Sequence, residues 1–228
     1  MLEFEEGPEF MSLLLSVCYS GTDGLSSADL DTLAQLILAV RKYEMPLIAA
    51  GTQSAWDLRA ASSPMEAYIV AVKYGLRDHA RAAAAKVSER PMSNWPYVRA
   101  METTPALAYH RLMEFYDCCT RTVESCFVQA ADGILKQDRG SPTKENAYSC
   151  DATTSVAAAV RELNCGQGMQ GPGADLDHYV QDIITDSEYT RRMKDRHVNS
   201  VVSIILEGSF DLPKRVKAAL GNVQIEVD

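Results

Sequence analysis

The chain has 228 residues, 46% of them hydrophobic, and a formal net charge of −9 from 31 acidic against 22 basic side chains. That length supplies one or two domains with a real core, and the apolar fraction excludes wholesale disorder. The acidic balance repels a phosphate backbone, and the densest basic run, Arg191, Arg192, Lys194 and Arg196, is broken by Asp195, so no nucleic-acid partner is expected.

No apolar run reaches the 18 or so residues of a membrane span, and the start of the chain lacks the basic region of a secretory signal. A cytoplasmic or nuclear compartment without membrane attachment is therefore the expectation. The cysteines Cys18, Cys118, Cys119, Cys126, Cys150 and Cys165 are then read as reduced thiols.

In chain order, a short acidic extended stretch over Leu2–Glu6 runs into a helix opened by Gly7-Pro8, with Phe10, Leu13, Leu14 and Val17 on one face and Gly21 as its stop. Ser26 with Asp29 predicts a capping box for a second helix, whose stripe is Leu30, Leu33, Ala34, Ile37 and Leu38 and whose end is set by Pro46. The two read as an antiparallel hairpin. Ser63-Pro64 opens a third helix, Gly75 closes it in the left-handed conformation, and an alanine-rich helix follows and stops before Pro91. After Thr104-Pro105 the spacing of Leu107, His110 or Arg111, Leu112, Phe115 and Cys119 predicts another helix. Residues 137–149 read as a surface loop, 152–163 as a helix, and the glycine-rich stretch NCGQGMQGPGAD as a linker. Helices are predicted at Leu176–Ile184, Tyr189–Leu206 and Leu212–Leu220, and the alternation of Val223, Ile225 and Val227 predicts a half-buried strand. The fold class is thus mainly α: helical hairpins packed in succession, with at most a minimal β element from the two terminal edge strands.

The order of edge strand, acidic turn, helix ending in Leu-x-x-x-Cys-Tyr, and second helix ending in Ala39, Lys42, Tyr43 and Met45 resembles the C-terminal half of a BTB/POZ domain. The run Tyr68, Ala71, Tyr74, Gly75, Leu76, Ala80 and Ala83 resembles the helix pair after that domain in fungal, mainly basidiomycete, BTB proteins. TPALAYHRLMEFYDCC and the terminal KAALGNVQIEVD resemble later parts of that group. The resemblance implies three parts: 1–60 as the second half of a BTB-like domain, 61–136 as its helical extension, and 137–228 as a C-terminal helical region. It also implies a non-enzymatic protein-protein interaction module, adaptor or co-regulator, whose partner is another polypeptide or a second copy. The first half of a BTB domain has no counterpart in the sequence, so Leu2, Phe4, Phe10, Leu14 and Cys18, which would face it, are the expected partner-binding residues.

The chemistry-bearing residues point away from catalysis. No nucleophile elbow, H-E-x-x-H or phosphate loop occurs, and no catalytic residue, cofactor or small-molecule ligand is assigned. A zinc site would have to draw on Cys119, Cys126 and His110, but helical spacing holds the two cysteines about 10 Å apart. His110 and Glu114 read as a surface pair on one helical face. The competing expectation is a small helical enzyme or ligand-binding protein, with His110, Tyr116 or Cys119 lining a pocket between helix pairs.

Overall fold

The computed structural model describes residues 7–21, 23–137 and 212–227. These are mainly helical, with seven α-helices: α1 (Pro8–Ser20), α2 (Leu30–Lys42), α3 (Pro46–Ser62), α4 (Pro64–Lys73), α5 (Arg77–Val87), α6 (Ala106–Gln137) and α7 (Leu212–Gly221). Short 3-10 turns lie at Asp23–Ser27, Met92–Asn94 and Arg99–Thr103. The expected strand at Leu2–Glu6, the loop over 137–149 beyond its first residue, the helices at 152–163, 176–184 and 189–206, and the glycine-rich linker lie outside the described residues.

Two compact units are present. The first contains residues 7–84, 96–109 and 226–227 among those described, and its core is built around α2 and α4. Because α2 packs against both α3 and α4, its buried surface is a broad arc of Leu30, Leu33, Ala34, Leu36, Ile37, Ala39 and Val40 rather than a single stripe. Leu38, placed in the stripe by periodicity, is instead 38% exposed. Helix α4 is buried nearly all round, through Met65, Ala67, Tyr68, Ile69, Val70 and Ala71. The Tyr68 hydroxyl donates to the Ala108 carbonyl at 2.8 Å, which satisfies the polar end of a fully buried ring.

Two local readings change. Burial of Leu25 closes Asp23–Ser27 into a 3-10 turn, so Ser26 lies outside α2 and Asp29 alone is the N-cap, accepting from the Thr32 N–H at 2.7 Å. Pro46 both stops α2 and opens α3, whose first residue needs no N–H.

Helices α2 and α4 end in the same way. Tyr43 and Tyr74 are the C-caps, with φ/ψ of −98°/8° and −99°/6°. Each is preceded by a lysine whose ammonium sits over the tyrosine ring, at 5.2 Å for Lys42 and 5.1 Å for Lys73. The next residue is left-handed, Glu44 at φ 51° and Gly75 at φ 67°. The N–H groups of Met45 and Leu76 then reach back to the Val40 and Ala71 carbonyls at 3.0 and 2.8 Å, as a Schellman motif requires. The shared turn makes α2–α3 and α4–α5 two versions of one helix pair. Gly75→Ala is expected to cost about 1 kcal/mol through the backbone alone, since open space surrounds a Cβ there. Glu44→Gly is expected to stabilise by about 0.5–1 kcal/mol. Urea midpoints of the two variants, moving in opposite directions, are the check.

The second unit contains residues 85–95, 110–137 and 212–225 among those described. On α6, Leu112, Phe115, Tyr116, Cys119, Val123 and Cys126 are buried, and the Trp95 ring meets Tyr116 edge-on at 5.4 Å. From α7, Val216 is buried, and Arg215 donates to the Gln129 side chain at 3.3 Å. Beyond α7 the chain keeps the alternation read from sequence, with Ile225 and Val227 buried and Gln224 and Glu226 exposed, the last two described residues, 226–227, belonging to the first unit. No strand forms there or elsewhere among the described residues.

Candidate interaction surface

Helix α1 carries no charged residue after Glu9, and its polar side is a single line of Ser12, Ser16 and Ser20. The remaining circumference is apolar, more than one contact face can use. One part of that arc is spent on the core: Leu14 and Val17 are 1% and 4% exposed, and Phe10 and Leu13 are half-buried. The other part points outward, with Leu15 at 50% exposure, Tyr19 at 88% and Cys18 exposed between them.

Of the five expected partner-binding residues, Leu2 and Phe4 lie outside the described residues, Phe10 is half-buried, Leu14 is in the core, and Cys18 is exposed. Sequence reasoning passed over Leu15 and Tyr19, which carry the outward face. The signal was their i, i+4 spacing on a helix already apolar on its other side. It also passed over Leu47 and Leu58 of α3, which are 96% and 63% exposed, because Pro46 was read only as a stop.

Helix α6 runs unbroken through Cys119 and Cys126, which therefore stay about 10 Å apart along its axis. Burial pushes the Cys119 thiol up to about 12, and burial raises Cys126 as well, against the opposing Arg215 charge. Neither is a thiolate at neutral pH. His110 is exposed and sits 3.3 Å from Glu114 on the helix surface. No cluster of His, Cys, Asp or Glu able to hold a metal ion is found among the described residues. No helix among them is long and apolar enough to cross a membrane. Comparison with protein-family models, curated proteins and solved structures finds no match to the chain.

Proposed function

We propose that the chain is a non-enzymatic interaction module of the fungal BTB/POZ type, serving as an adaptor or co-regulator that recruits another polypeptide or a second copy of itself. The observation that carries this reading is the second apolar face of α1. An uncharged helix surface centred on Leu15, Cys18 and Tyr19, on a helix whose buried side is already taken by Leu14 and Val17, offers buried area to a protein and little to a polar metabolite. Helices α1, α2, α4 and α5 are among the elements on which the family resemblance rests, whereas its edge strand lies outside the described residues and α3 was not one of its elements. The buried, protonated thiols of α6 give no support to a cysteine-based enzyme.

The double variant Leu15→Asp, Tyr19→Asp tests the reading. Both side chains are exposed, so the unfolding midpoint should shift by no more than about 0.5 kcal/mol. Association, followed by light scattering after size-exclusion chromatography and by cross-linked pull-down from a fungal lysate, should fall at least about tenfold. A strictly monomeric wild-type chain with no recoverable partner, or a double variant that associates as before, counts against the proposal.

A further inference from the structure

The helix pairs α2–α3 and α4–α5 share more than their turn. Ile48 and His79 are each the third residue of the helix that follows it, and they are buried to the same degree, 8% and 7% exposed. The first pair therefore shows that this station accepts a plain aliphatic side chain. The second places an imidazole there.

The ring is hydrogen-bonded on one side only. Gln53 donates its amide N–H to Asp57 at 2.8 Å, so its carbonyl oxygen faces His79 and accepts from the Nε2–H at 2.9 Å. That fixes the neutral tautomer with the lone pair on Nδ1. Nδ1 is buried and has no hydrogen-bond partner. The edge of the ring pair with Trp56 closes another side, with centroids 5.2 Å apart and planes at 87°. A proton arriving at Nδ1 would put a donor where nothing accepts, in the first turn of α5, where the helix dipole opposes a cation.

Charged groups on α2, α3 and α5 act on the ring. Arg41 of α2 repels an imidazolium, whereas Asp57 of α3 and Asp78 of α5 itself favour one. Burial outweighs both carboxylates and, with Arg41, holds the imidazole below its ordinary 6.5.

We propose that His79 is an acid-sensitive latch between α3 and α5: as the neutral ring it ties α5 to Gln53 and Trp56, and on protonation it leaves that site and releases the start of α5. The direction follows from linkage. With the folded-state value below the unfolded-state one, the folded chain binds fewer protons, so the latch contributes fully above about pH 6.5 and is lost as pH falls from there towards the folded-state value.

The full chain is tested by thermal unfolding from pH 7.5 to 5.0, wild type against His79→Leu, with amide protection factors of residues 77–84 measured at both ends. The wild-type midpoint should fall by about 2–4 °C per pH unit more than that of the variant in the acidic half of the range. Protection of residues 77–84 should drop in the wild type alone. Equal pH dependence in the two proteins overturns the proposal. So does an NMR titration of wild-type His79 with a midpoint at or above 6.5, a measurement that decides the matter even where the variant fails to fold.

Discussion

Replacing Trp56 by alanine is expected to lower the unfolding free energy of the first unit by about 3–5 kcal/mol, a large share of the roughly 5–15 kcal/mol that holds a domain folded. The indole is only 2% exposed and is among the largest fully buried side chains of the described residues. Alanine leaves a void that helices pinned on both sides by turns cannot close, and it removes the edge contact with His79. The measurement is urea unfolding followed by helix circular dichroism. The sequence's other tryptophan, Trp95, belongs to the second unit, so its fluorescence reports that unit separately in the same variant. A loss below about 1 kcal/mol would mean that the indole is not a core residue.

The second large effect contrasts neighbours. Leu14→Ala should cost about 2–5 kcal/mol, and Leu15→Ala should stay within about 0.5 kcal/mol. Their exposures are 1% and 50%, so the same chemical deletion samples the core from one position and solvent from the next. Equal costs would show that α1 is rotated from the orientation described. That orientation also decides how the outward face is read, because Leu15 and Tyr19 are free to meet a partner only while Leu14 and Val17 are buried.

Much of the fold was legible because its punctuation is chemical. Pro8 and Pro64 stand at first helical positions, Gly75 takes the left-handed conformation that only glycine adopts cheaply, and Leu112, Phe115 and Cys119 of the α6 spacing are buried, although Leu107 is 53% exposed and His110 is exposed. What was illegible has physical reasons. A proline that ends one helix also suits the first position of the next, so α3 was hidden behind Pro46. Periodicity gives the width of an apolar arc but not which part of it the core takes, and on α1 that arc covers most of the helix. Hence Leu14 was assigned to a partner surface and Tyr19 to none. The alternation at Val223–Val227 reports burial on one side, and burial alone does not supply the neighbouring backbone that a strand needs. The burial of His79 was also out of reach, since α5 was recognised by its alanines and a histidine among them carries no sign of which helix will cover it.

The left-handed corner at Glu44 has an evolutionary consequence. The same turn is built with glycine in the second helix pair, so a single substitution away lies a first pair with a relaxed backbone and a tighter fold. The chain has not taken that step. A protein whose stability already exceeds what its task demands feels little selection to improve a turn, and a corner that keeps its carboxylate under those conditions drifts freely so long as the hairpin closes. Relatives of this chain should accordingly vary at the position of Glu44 and hold glycine or asparagine more often at that of Gly75, where the helix it ends is buried nearly all round and has less slack to lose.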